Sequence, residues 1–501
     1  MSGLNQHGSD LVKEIGLANK FYNQNKKNIS KSRKSASTLA FAYEKARNAV
    51  EYRDEHLIRQ AAIERILKRR LFLNQSSDKI AILLIKELTW ARYIEPEPED
   101  IIKREKFRNI IEKYRTSEQL VGLCSCEIDE LINFNPVNQI IINFVSSIIE
   151  VLIDFDEEDK VTKSIQVYIA TERSFAKNSE VLIKYKLLKV LLPNWKDQLK
   201  LQTTLVKIDN YLNYKYKDLL RRKVLQMTPP FNLIRDLVIE HSNEVGDLVT
   251  SEDSLKSKLT EIIETKYSET KNKVLRASQR SIIYIFLTKM VLAMLIEIPF
   301  DILLGRINFV VLSINILFPP SLMILFNSRI KLPAKNNTQL MIEKVIDYLY
   351  LDINKFKKEV VATKDKENTT NKVFNYVFIT TSILLVFGII YLLNLLSFNF
   401  INQIIFLFFL SVVSFFAFRV REISNDYLLE NSESDSFWET LLDYIFLPII
   451  KSGQWLSNQI AKINILSFIF DFIIEAPLKS FLEILEQWLH FVRVKKEEFL
   501  G

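Results

Sequence analysis

Glycine is scarce in this chain, with nine among 501 residues against an average near ~7%. Turn-rich β folds and phosphate-cradling loops use glycine heavily, so the shortage turns the reading towards helices. Cysteine is scarcer still: only Cys124 and Cys126 occur, in GLCSCE. On a helix their one-residue spacer sets the side chains about 200° apart. That argues against a disulfide or zinc site and for two small, half-buried thiols in a reducing compartment. The four histidines, His7, His56, His241 and His490, are scattered, and no H-E-x-x-H, Walker loop, G-x-G-x-x-G or G-x-S-x-G is present. No catalytic residue, metal or cofactor is therefore expected.

A dominant charge is also missing. The 67 basic and 60 acidic residues are largely interspersed and leave a formal charge of +7, which makes no whole-chain case for nucleic acid as a partner. The N-terminus has neither the apolar core nor the cleavage site of a secretory signal. Ser2 occupies the place where N-myristoylation requires glycine. The N-terminal region is expected to stay in the cytoplasm.

What the chain has is apolar length. Val373 to Phe418 contains no charged residue, a run that soluble cores seldom tolerate. Since ~20 helical residues cross a bilayer core, four spans follow: Ile282 to Leu304, Phe309 to Phe326, Tyr376 to Leu396 and Ile401 to Phe418. Lys271, Lys273, Arg276 and Arg280 precede the first, ten Lys or Arg lie between the second and third, and Arg419 and Arg421 follow the fourth. All fall on one side, the cytoplasmic one by the positive-inside rule. The two outer turns are too short for a folded domain.

The remaining chain divides by pattern. Residues 1–38 are polar and read as a flexible basic tail. Residues 39–250 read as a cytoplasmic helical domain in which the double proline at 229 and 230 stops a helix. Residues 251–280, opening at Ser251, form a helical stalk that runs into the first span. Transmembrane hairpins at 281–327 and 374–419 flank a cytoplasmic helical loop at 328–373. Over 420–501 the chain alternates short apolar blocks with charges and reads as amphipathic helices on the cytoplasmic interface. Whether 441–474 crosses, re-enters or lies on the membrane stays open. The fold class is all-α: a cytoplasmic helical domain, a polytopic membrane domain of about four spans, and C-terminal interfacial helices.

Chemistry within the membrane centres on the first span. In a regular helix Lys289, Glu297 and Asp301 fall at about 0°, 80° and 120°, within one sector. Such residues are ion- or solute-path candidates. The bland reading is that Lys289 snorkels to the cytoplasmic interface and Asp301 reaches water near the turn, leaving only Glu297 without an exit. Pro299 is expected to kink this helix by removing the donor to the Leu295 carbonyl; Pro319, Pro320 and Pro477 are further kink candidates. Outside the membrane, Arg65, Lys68, Arg69 and Arg70 cluster on one amphipathic helix. They are lipid-headgroup candidates, with a solvated helix face as the plainer alternative.

The stretches AAIERILKRRL, LIEIPFDILL with INILFPPSLM, and KINILSFIFDFIIEAPLKSFLE together resemble an integral-membrane protein family of reduced-genome candidate-phylum bacteria with no assigned activity. The resemblance implies an integral protein of a bacterial cytoplasmic (inner) membrane and carries no activity, cofactor or binding residue; the charge placement, with four spans, puts both termini in the cytoplasm. The expected function is a non-enzymatic, membrane-anchored scaffold or assembly factor. Its expected partners are the lipid bilayer and a partner protein or further copies of itself. The alternative is an oligomeric channel or transporter whose path the first span lines.

Overall fold

The computed structural model describes residues 3–26, 55–94, 101–115, 120–133, 135–155, 159–193, 198–303, 308–328, 335–356, 359–361 and 369–429, with a few positions between 447 and 495. Its helices are α1 (Gln6–Lys26), α2 (Glu55–Phe72), α3 (Ser77–Trp90), α4 (Ile101–Tyr114), α5 (Val121–Ile132), α6 (Pro136–Leu152), α7 (Lys160–Ser174), α8 (Glu180–Leu191), α9 (Gln198–Leu212), α10 (Lys217–Glu240), α11 (Val245–Leu248) and α12 (Glu252–Leu292). A π-turn (Ala293–Glu297) leads to α13 (Ile298–Leu303), α14 (Phe309–Ser328), α15 (Lys335–Tyr350), α16 (Thr369–Leu395) and α17 (Phe400–Ser424). Among the described residues the one sheet is a parallel pair, β1 (Ile153–Phe155) with β2 (Glu359–Val361). The fold is all-α. The chain forms two compact units: Met1–Val12, Val151–Asp156 and Leu225–Ile463 in one, Lys13–Glu150, Glu157–Val224 and Asn464–Gly501 in the other.

In the unit containing α2 to α9, helical spacing builds the core. Ile80, Leu84 and Leu88 recur every four residues along α3 and meet Ile63 and Leu67 of α2, Phe107 and Ile111 of α4 and Ile128 of α5. Ser76 starts α3 by accepting the Lys79 amide, and Ser179 starts α8 by accepting that of Leu182. Where α5 passes α8, a Cβ on Gly122 would lie 2.8 Å from Val181 Cγ1, so a residue without a side chain is required. Cys124 and Cys126 are fully buried free thiols.

The other unit holds the membrane bundle. Glu252–Leu303, Phe309–Ser328, Tyr376–Leu395 and Phe400–Tyr427 are long and apolar enough to cross a bilayer, giving a multi-pass architecture. The first, second and fourth pack on one another through Val274, Ile285, Met323, Phe409, Val413 and Val420. The third is peripheral: 6% of its apolar window is buried against 44% in the fourth. It joins near its end, where Leu393 meets Val311, Phe398 and Phe406.

Two expectations change. The tail over 1–38 is helical from Gln6 to Lys26, with Leu11, Ile15 and Ala18 buried on one stripe that its polar composition masks. Pro229 and Pro230 do not stop a helix but lie inside α10. Thr228 Oγ1 donates to the Leu225 carbonyl at 2.8 Å, the acceptor that Pro229 leaves without its amide donor. One boundary between the compact units falls within α10, between Val224 and Leu225. Pro319 and Pro320 also sit inside a helix, α14, on its buried side. Apart from those few positions, the interfacial helices beyond 430 and the 441–474 question lie outside the described residues, as does Pro477.

Candidate functional site

The first span turns one buried stripe inward: Ser281, Ile285, Lys289, Ala293, Glu297 and Asp301, each four residues after the last. Its regular helix breaks at the π-turn, where the Ile298 amide donates to the Ala293 carbonyl. One extra residue in a turn sets the following positions back by about 100°. Glu297 and Asp301 then stand about 20° to either side of Lys289 instead of about 80° and 120° away. The π-turn thus aligns three groups that a regular helix would only bring into one sector. It comes immediately before Pro299, which has no amide to hold a regular turn.

The resulting contacts join three spans. Lys289 Nζ donates to Glu297 Oε1, and both side chains are fully buried. The ammonium also lies 4.8 Å from the Phe409 ring centroid on α17, within cation–π range. From α14, Asn315 Nδ2 donates to Glu297 Oε2 at 2.8 Å. Lys289 therefore does not snorkel, because its charge is matched inside the bundle.

Asp301 does not turn to water either, being 5% exposed. Its Oδ1 accepts from Asn399 Nδ2 and, at 3.3 Å, from Asn402 Nδ2. Asn399 Oδ1 in turn accepts the Asn402 amide at 2.8 Å and caps α17, so the positive end of that helix is turned towards the Asp301 carboxylate. Two acceptors in this set are left over: Asn315 Oδ1 and Asn402 Oδ1 are buried without a hydrogen-bond partner. Pro319 and Pro320 also supply no amide to the backbone carbonyls of Asn315 and Ile316.

The sequence reading singled out Lys289, Glu297 and Asp301 but not their asparagine partners. The signal was there: Asn315, Asn399 and Asn402 are amides within apolar runs, and buried amides in lipid seek polar partners.

The basic cluster outside the membrane is spent on the fold. Glu87, itself buried, takes Arg69 Nη2 at 2.5 Å on one oxygen and Arg70 Nη2 at 2.7 Å on the other. Lys68 pairs with Glu64 at 2.6 Å, and Arg65 is buried at 9% exposure. Of the four, Lys68 retains a half-exposed side chain.

In the same unit as the membrane bundle, Asn337 ties three elements: Nδ2 donates to Tyr267 Oη at 2.6 Å and to the Tyr427 carbonyl at 2.7 Å, while Oδ1 accepts the Leu429 amide. Tyr427 donates its hydroxyl to Asp236, whose pKa burial pushes up despite that bond. Among the described residues no group of three His, Cys, Asp or Glu side chains is placed to hold a metal ion. Comparison of the chain with family models, curated proteins and solved structures returns no match.

Proposed function

We propose that the protein is a non-enzymatic, membrane-anchored scaffold or assembly factor of a bacterial cytoplasmic membrane, presenting its helical domain to a partner protein on the cytoplasmic side. The observation that carries this reading is the closed Lys289–Glu297–Asn315 contact, in which opposite charges cancel inside the bundle and join the first two spans, with the fourth reached through the Phe409 ring. Buried charges handled in this way hold a bundle in register. The helical domain invests its charges likewise, in Arg69 and Arg70 with Glu87 and in Arg59 with Asp129.

The orientation rests on the lysines and arginines flanking the spans. It is tested by Thr265→Cys, on an exposed face of α12, because Cys124 and Cys126 are too buried to give background. A membrane-impermeant maleimide should label this variant in opened but not in intact cells.

The inward charge stripe favours the second reading, a channel or transporter lined by the first span. Reconstitution separates the two. A scaffold brings a stoichiometric partner through purification and leaves liposomes tight. A channel forms a symmetric oligomer and leaks ions, and Glu297→Gln or Lys289→Met alters the flux.

A further inference from the structure

Among the described residues the charges of the bundle do not balance. Lys289 and Glu297 cancel, which leaves Asp301. Among the described residues no cationic side chain pairs with it, and its hydrogen bonds both fall on Oδ1. The N-terminus of α17 offsets roughly half an elementary charge. A buried carboxylate so placed calls for a further positive charge.

We propose that Asp301 and Asn402, held in place by Asn399, form a binding site for a monovalent cation of the alkali-metal class at the junction of α13 and α17. Three observations carry this. Asp301 Oδ2 receives no donor from the described residues, so it is open to a ligand. Asn402 is 98% buried by its 2% exposure, and its amide reaches Asp301 with the nitrogen while its oxygen has no partner. Asn399 is committed on both sides of its amide, to Asp301 and to the cap of α17, which fixes the geometry between the two helices.

The available ligands are all oxygens, the set hard cations prefer. A single positive charge neutralises the carboxylate, whereas a divalent ion would overcharge the same buried space. Turning the Asn402 amide about its Cβ–Cγ axis exchanges its hydrogen bond to Asp301 for a contact between its unpartnered oxygen and an ion held on that carboxylate. The site does not depend on the scaffold reading, since a structural ion fits either a scaffold or a transporter.

The test is thermal unfolding of the detergent-solubilised full chain at constant ionic strength, with choline chloride replaced stepwise by sodium or potassium chloride. Because an ion that binds the folded state raises its stability by mass action, at least one of the two should give a saturable rise of about 2–4 °C over choline. Asp301→Asn should abolish the difference between salts. Asn402→Ala, which keeps the carboxylate, should diminish it, and it provides the reading if Asp301→Asn does not fold. Identical melting in all three salts overturns the site, as does an undiminished sodium or potassium effect in both variants. A rise on acidification in choline with no alkali effect also overturns it, in favour of a protonated carboxyl.

Discussion

Lys289→Met isolates the intramembrane ion pair. The substitution conserves apolar volume and leaves the Glu297 carboxylate fully buried, with the Asn315 amide as its remaining hydrogen-bond partner among the described residues. Removing one partner of a buried pair costs about 3–5 kcal/mol, because the other charge is stranded; the lost cation–π contact with Phe409 is part of that cost. Glu297→Gln strands the ammonium and should cost a similar amount. Lys289→Met with Glu297→Gln removes both charges while the glutamine oxygen still accepts from Asn315, so the double variant should return to within about 1–2 kcal/mol of the original chain. At about 2–4 °C per kcal/mol, each single variant should melt on the order of 10 °C lower in detergent, followed by size-exclusion of heated samples. Single costs below about 1 kcal/mol, or simple additivity in the double variant, would refute the claim that this pair locks the bundle.

In the helical domain, Glu87→Gln should destabilise by about 3 kcal/mol by removing the buried carboxylate that pairs with both Arg69 and Arg70, whereas Lys68→Ala, an exposed pair with Glu64, should change stability by less than about 0.5 kcal/mol; equal effects in a denaturant titration would contradict the burial argument. Burial raises the Asp236 pKa above its ordinary value. A raised carboxylate pKa favours the folded state below the ordinary range near ~4 and loses that contribution as pH rises through the folded value. Asp236→Asn should therefore be better tolerated at pH 7 than at pH 4, as read from the difference in melting temperature. The thiols of Cys124 and Cys126 are pushed well above the usual range by burial, so neither should react with maleimide until the chain unfolds, and rapid labelling of the native protein by mass spectrometry would count against this packing.

The architecture was legible because lipid imposes a coarse rule. An uncharged run such as Val373 to Phe418 must span or aggregate, so length and charge placement find the helices. The misreadings came from local rules that tertiary context overrides. Pro229 and Pro230 break helices when the freed carbonyl has nowhere to bond, but the Thr228 hydroxyl supplies the bond to Leu225. Gln6–Lys26 looks disordered by composition, yet Leu11, Ile15 and Ala18 bury a narrow stripe.

The site was half legible for a different reason. Helical arithmetic could bring Lys289, Glu297 and Asp301 into one sector, but it assumed an unbroken 3.6-residue turn. Over the 12 positions from Lys289 to Asp301 that assumption fails once, at Ala293–Glu297. The consequence is large: about 100° of rotation separates carboxylates merely near the lysine's side of the helix from carboxylates directly above it. Pro299 is where the sequence hints at this, since a helix already missing one amide accommodates a wider turn next to it with little further loss. The bulge and the charges therefore explain one another. Straightening the turn would carry Glu297 away from Lys289 and leave two opposite charges unmatched in lipid, so the ion pair stabilises the irregular turn and that turn makes the ion pair possible.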